Sequence, residues 1–247
     1  MKNDKLIMLY DFDGTLTKSP VCAYSFIDRF GYKNGMQNDK FIGEVRDLQK
    51  QNGKEFVEVC LEHVFEICEK NGLKPTLKNL CEGQDKLDWN PGVDTFFDKV
   101  EAMAKRKGVT IENYLITGGF AEYLENLPLA KHFKGIYGSR LEIDKQQNIL
   151  GIKSIMTNQL KVDNVKKIAP DDCKNVIYVG DGLTDIPPME YVCANGGKAL
   201  FVSQEKVPEK MLESVTHVCR ADFREDKGVF AIISRAVDEL GVERCKD

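Results

Sequence analysis

None of the eight cysteines of this 247-residue chain stands in a Cys-X-X-Cys pair, and their spacing forms no zinc pattern. There is no basic excess: the formal net charge is −4, which leaves no footprint for nucleic acid. No uninterrupted apolar run approaches the length of a membrane span. Internal repeats and low-complexity tracts are missing too. Of the three histidines, His132 and His217 sit in no cluster of acids or nucleophiles, and His63 falls on an apolar helical face as a packed residue. Residues 1–5 lead directly into an apolar strand, without the long apolar region and cleavage site of a signal peptide. The expectation is a cytoplasmic protein with reduced thiols, most of them small buried hydrophobes, and no membrane partner.

What is present is ordinary globular composition, 42% hydrophobic and 30% charged. Against it two acid-tipped strands stand out. The run Leu6 to Tyr10 reads as a buried strand that ends in Asp11-Phe12-Asp13-Gly14-Thr15. Residues i and i+2 share a side, so Asp11 and Asp13 can converge just beyond the strand end, where ligands sit in open α/β sheets. A second strand, Val176 to Gly180, leads into Asp181-Gly182-Leu183-Thr184-Asp185. A single Asp near a turn is usually a cap or a turn residue. Two such tips in one chain form a carboxylate cluster that needs a compensating charge.

The pattern along the chain is strand, helical insertion, then alternating strands and helices. Residues 21 to about 88 show helical spacing, with Phe56, Cys60, His63, Val64 and Ile67 on one face. Gly72 and Pro75 close that helix. Asn90-Pro91-Gly92 marks the return. A helix over Val93 to Lys107 precedes a strand over Glu112 to Thr117. Ile136 to Ile143 and the stretch around Ile149 form a hairpin with a polar turn at Asp144 to Asn148. A helix over Lys161 to Ala169 leads to the second acid-tipped strand. Further strands are expected over Ala199 to Ser203 and Val215 to Cys219, and a last helix over Val229 to Leu240. Strands separated by helices imply a parallel sheet with right-handed crossovers.

Asp11-Phe12-Asp13-Gly14-Thr15 resembles the nucleophile motif of the haloacid dehalogenase (HAD) superfamily, and Gly180 to Asp185 resembles its acidic metal-binding motif. Between them, Leu115-Ile116-Thr117-Gly118-Gly119 is similar to the phosphate-binding Ser/Thr motif, and Lys161 matches the lysine motif. Lys153, Lys166 and Lys167 are its rivals, the last two a turn or more into the helix. The order of the four motifs is the family's.

The resemblance implies an α/β fold. Its Rossmann-like parallel-sheet core would span 1–17 and 89–247, with a small helical cap inserted at 18–88. It also implies Mg²⁺-dependent hydrolysis of a small phosphomonoester through an aspartyl-phosphate. Asp11 would be the nucleophile and Asp13 the general acid and base. The metal ligands would be the Asp11 carboxylate, the Asp13 backbone carbonyl and Asp181. Thr117 and the Gly118 N–H, at a helix N-terminus, would hold phosphate oxygens with Lys161, and Asp185 would orient Lys161 or a metal-bound water. An acid at position 13 points to phosphoryl transfer, because the dehalogenating branch has none there. The cap, the hairpin and the Gly180-Asp181-Gly182 run resemble the phosphoserine phosphatase branch. That branch carries a substrate-reading Glu after the nucleophile motif, where this chain reads Thr17-Lys18-Ser19-Pro20. Arg46 is the match for its carboxylate-binding Arg. The substrate is therefore left as an unassigned phosphate ester. A phosphotransferase or mutase on the same scaffold, and a non-catalytic phosphometabolite-binding module, are the alternatives.

Overall fold

The computed structural model describes residues 5–18, 39–54, 56–82, 84–170, 172–203 and 212–244. Seven strands form one sheet: β1 Lys5–Tyr10, β2 Thr110–Phe120, β3 Phe133–Ile143, β4 Ile149–Ser154, β5 Val176–Gly180, β6 Lys198–Val202 and β7 His217–Cys219. Their order is β4-β3-β2-β1-β5-β6-β7. Every neighbouring pair is parallel except the β3–β4 hairpin.

Helices α4 Val93–Arg106, α6 Asn158–Ile168, α7 Ile186–Ala194 and α8 Gly228–Arg244 cover the sheet. A sheet covered on both faces needs strands buried on both sides, and every residue of Val176-Ile177-Tyr178-Val179-Gly180 is buried. Leu9, Ile116 and Tyr178 pack with Val165 of α6 and with Met189 and Val192 of α7. On the other face Tyr10, Ile177 and Val179 join Phe96 and Phe97 of α4 and Val229 and Ile233 of α8.

The insertion is helical where it is described: α1 Asp39–Asn52, α2 Phe56–Lys70 and α3 Leu77–Cys81. Gly72 adopts φ +65° and stops α2, as its lack of a Cβ permits. The insertion begins after Leu16 and ends before Trp89. These crossings are paired: Thr17 bridges Trp89, Lys18 N donates to Asp88 O and Asn90 N to Leu16 O. The buried Asn90 amide also donates to the carbonyls of Gly14, Thr15 and Thr17 at 3.3, 2.7 and 3.2 Å.

Most expected elements form within a few residues of their sequence positions, and the Asp144 carboxylate closes the hairpin turn by accepting from Gln146 N and Asn148 N. Two differ in a way that bears on function. Strand β2 does not end at Thr117: it runs through Gly118 and Gly119 to Phe120, with a register shift against β3 between Ile116 and Phe120. The following helix, α5, is only Ala121–Glu125. Gly118 is therefore in an irregular strand end, not at a helix N-terminus; paired glycines let the backbone deviate and then re-pair at Ser139. Helix α6 starts three residues earlier than expected because Thr157 caps it, its hydroxyl accepting from Leu160 N.

Replacing Asn90 by Ala removes one side chain that satisfies three carbonyls of the turn after β1. The expected cost is about 1–3 kcal/mol of folding stability, read as a lower denaturation midpoint with an unchanged m-value. An unchanged midpoint would show that the tie is dispensable.

Candidate active site

The parallel register sets the site. Tyr10 lies beside Leu115 of β2 on one side and Val179 of β5 on the other. The ladder continues one residue further, with Asp11 N donating to Val179 O at 2.9 Å. Asp11 and Asp181 therefore emerge just beyond the C-terminal ends of β1 and β5, beside Thr117 in the irregular last stretch of β2. The turn after Asp13 is tight. Gly14 has φ +81°, and a Cβ there would lie 2.1 Å from Asp181 Oδ2, so only glycine lets the β1 turn touch the β5 tip.

Lys161 decides the electrostatics. It reaches from α6 into the site and is 2% exposed, whereas Lys153, Lys166 and Lys167 are exposed. Its ammonium lies 2.8 Å from Asp185 Oδ1 and 3.3 Å from Asp11 Oδ1. Burial alone would lower its pKa, but the charges of Asp11 and Asp185 outweigh that and hold it well above the usual lysine value.

The carboxylates are differently satisfied. Asp185 is fully buried and accepts four hydrogen bonds: Lys161 Nζ and Tyr178 OH on Oδ1, both at 2.8 Å, and the N–H groups of Asp181 and Gly182 on Oδ2, at 3.2 and 3.1 Å. Asp181 accepts from the Thr15 hydroxyl at 2.7 Å. Burial, then the Asp185 charge, push its pKa up to about 7. Asp11 is 6% exposed, and its Oδ1 has the Lys161 charge nearby but no directional hydrogen bond. Burial first, then Asp185, hold its pKa well above the carboxylate range, against the pull of Lys161.

Thr117 is fully buried, and its hydroxyl oxygen accepts from Gly119 N at 3.1 Å. A Cβ built on Gly119 would lie 3.5 Å from Asp13 Oδ2 and 3.6 Å from Thr117 Oγ1, so the Asp13 carboxylate and Thr117 face the same spot. Ser139 braces this end of β2, its hydroxyl donating to Gly118 O at 2.7 Å and accepting from Met156 N at 3.0 Å.

The structure thus brings together Asp11, Asp13, Thr117, Gly118, Lys161, Asp181 and Asp185. Arg46 is exposed on α1, and no hydrogen bond or ion pair joins it to the acidic cluster. Ser19 lies outside the described residues. Sequence reasoning passed over Thr15, Ser139 and Tyr178. Thr15 was legible as a hydroxyl beside the acids. Tyr178 had one clue, a phenol in a fully apolar strand two residues before the glycine at its tip. His63 is a packing residue as expected, stacked on Phe41 with Nε2 3.0 Å from Glu44. The six described cysteines are free, three of them buried.

One oxygen of each of Asp11, Asp181 and Asp185 lies within 4.8 Å of the others. Hard carboxylate oxygens suit a hard divalent cation. Asp185 has its oxygens occupied by donors, so Asp11 and Asp181 are the pair with oxygens to offer. The under-satisfied buried Oδ1 of Asp11 fits such an ion.

No protein-family model and no curated protein sequence matches the chain. Solved structures do. A HAD-family hydrolase from Salmonella enterica serovar Typhi superposes with a TM-score of 0.66 at 16% identity, over 96% of this chain and 72% of that one. A probable phosphoserine phosphatase from Vibrio cholerae gives 0.65 at 16%, over 98% and 67%. A phosphoserine phosphatase captured as a phospho-aspartyl intermediate analogue gives 0.60 at 15%, over 90% and 95%. The chain has the fold shared by HAD-family hydrolases and phosphoserine phosphatases.

Proposed function

We propose that this protein is a Mg²⁺-dependent phosphatase acting on a small phosphate ester, with Asp11 as the nucleophile. The observation that supports this most is the buried Lys161 ammonium, set between the carboxylates of Asp11 and Asp185 at the tip of a parallel sheet. A lysine there offsets charge on an anionic substrate and draws the raised pKa of Asp11 back toward the ionised form that attacks.

The residues carry two displacements. Asp11 Oδ attacks phosphorus; the bond from phosphorus to the alcohol oxygen breaks, and Asp13 gives that oxygen its proton. Water then attacks the aspartyl-phosphate and yields its proton to Asp13; the bond from phosphorus to Asp11 breaks and inorganic phosphate leaves. Thr117, the Gly118 N–H and Lys161 hold the remaining phosphate oxygens. A Mg²⁺ held by the Asp11 carboxylate, the Asp13 carbonyl and Asp181 would offset the charge that an anionic nucleophile meets. Asp185 keeps Lys161 in place. Residues 18–88 act as a cap that reads the organic part of the ester, since they are inserted beside the general acid, and Arg46 is the candidate reader. The setting is a cytoplasmic one.

Phosphate release from a panel of small esters with Mg²⁺ tests the reading; no release from any ester would overturn it. Chelation should abolish turnover and Mg²⁺ restore it, and full activity in chelated enzyme would remove the metal from the mechanism. Asp11→Asn should lose nearly all activity, because an amide of the same shape cannot attack phosphorus. More than a few per cent of the original rate would exclude the covalent route.

The lysines separate cleanly. Lys161→Ala should cut kcat/KM by far more than Lys153→Ala or Lys166→Ala, whose side chains are in solvent. Equal small effects at all three would show that Lys161 has no part in catalysis.

Arg46→Ala should change relative kcat/KM among esters roughly tenfold, the worth of a charge-assisted hydrogen bond of about 1.5–3 kcal/mol. It should leave a generic aryl phosphate nearly unaffected. Uniform loss across all esters would make the insertion a lid and not a reader.

A further inference from the structure

Tyr178 is buried completely in β5, on the face covered by α6 and α7. Its hydroxyl donates to Asp185 Oδ1 at 2.8 Å, the same oxygen, at the same distance, that receives the Lys161 ammonium. A phenol deep in an apolar layer costs free energy unless its hydroxyl is partnered, and a phenylalanine would fill the same space. The hydroxyl stays protonated there, since burial and then the Asp185 charge hold its pKa well above the usual phenol value. It is therefore a fixed neutral donor, not a second acid.

Its effect follows from how Lys161 is divided. The ammonium is nearer Asp185 than Asp11, 2.8 against 3.3 Å, and only the Asp185 contact has hydrogen-bond geometry. The Asp185 Oδ2 lone pairs are already taken by two backbone N–H groups, so Oδ1 is the oxygen on which Lys161 and Tyr178 meet. A neutral donor on Oδ1 weakens its pull on the ammonium. Without that donor Asp185 would draw Lys161 deeper, away from Asp11 and from the phosphate oxygens.

We infer that Tyr178 is a positioning residue: through Asp185 it sets how far the Lys161 ammonium is offered to Asp11 and a bound phosphate group. The inference rests on the phosphatase reading of the site for its consequence, but its geometry does not. Its test is the binding of inorganic phosphate, with Mg²⁺ present, to the full-length protein, Tyr178→Phe, Lys161→Met and the double variant. Tyr178→Phe should weaken phosphate binding about fivefold and have no further effect once Lys161 is Met, since a residue acting through Lys161 has nothing left to position. The same loss in both backgrounds would reduce Tyr178 to packing, and no loss in the native background would overturn the inference outright. Should Lys161→Met not fold, the equally neutral Lys161→Gln takes its place in the cycle.

If the native protein neither binds phosphate nor cleaves any ester, the phosphatase reading fails, and the side-chain ¹⁵N resonance of the Lys161 ammonium decides the positioning. That resonance, assigned by its loss in a Lys161 variant, should shift in Tyr178→Phe. An unmoved resonance would overturn the inference without reference to activity.

Discussion

One ammonium serving three carboxylates is the constraint on which this molecule is built. Lys161 is nearly without solvent contact, and charge at that depth persists only with opposite charge beside it. Asp11 and Asp185 supply it, and the dependence is mutual, because both of these acids are buried too. The donors are shared unequally. Asp185 takes four, Asp181 takes the Thr15 hydroxyl, and Asp11 Oδ1 takes no directional hydrogen bond. Three chemically identical side chains thus acquire different characters: an anchor, a group whose charge is costly near neutral pH, and a buried, under-satisfied oxygen beside Lys161. The oxygen least satisfied by the protein is the one with most to gain from a cation or an electrophile.

The arrangement is a consequence of the sheet. Strands β1, β2 and β5 run parallel and in register, so the C-terminal ends of β1 and β5 lie together beside the irregular last stretch of β2, and their next residues meet without long loops. Helix α6 brings Lys161 in from one face, and Asp185 lies immediately before α7 on that same face. Close approach at the tips leaves no room for side chains. A Cβ on Gly14 would run into Asp181 and one on Gly180 into Asp185, the latter at 2.5 Å. Gly14 lets the two acidic turns touch, and Gly180 lets the second turn fold Asp185 back on its own strand, which a spacing pattern alone does not reveal.

Much of this was legible in the sequence. The acid-tipped strands, the helical insertion and the hairpin each follow from local periodicity or turn chemistry, and the ranges predicted for the strand before Asp181 and for the hairpin turn agree with the structure. What was not legible depends on contacts between distant segments. The continuation of β2 past Thr117 is imposed by renewed pairing with β3 at Ser139, and no local signal marks it. Lys161 could be preferred over its neighbours only through motif order and position along the helix; burial separates it from them without ambiguity. Tyr178 read as one more apolar strand residue, because its hydroxyl has meaning only beside Asp185.

The position of the insertion completes the physical picture. It opens and closes at one place, where Thr17 meets Trp89 and the Asn90 amide binds three carbonyls of the turn that carries Gly14 and Thr15. Asp13 lies in that turn, between the nucleophile position and the crossing. Its carboxylate faces Gly119 and Thr117, while the backbone beside it is packed on Asp181 through Gly14. Thr15, in the same turn, hydrogen-bonds Asp181. The turn is thus tied to β5 on one side and to the return of the insertion on the other. A force on the insertion would reach Asp13 through these ties before it reached Asp11, which is held by the β1–β5 ladder and by Lys161. The β1–β5 ladder therefore fixes Asp11, while Asp13, the proposed general acid, lies in the turn tied to the return of the insertion.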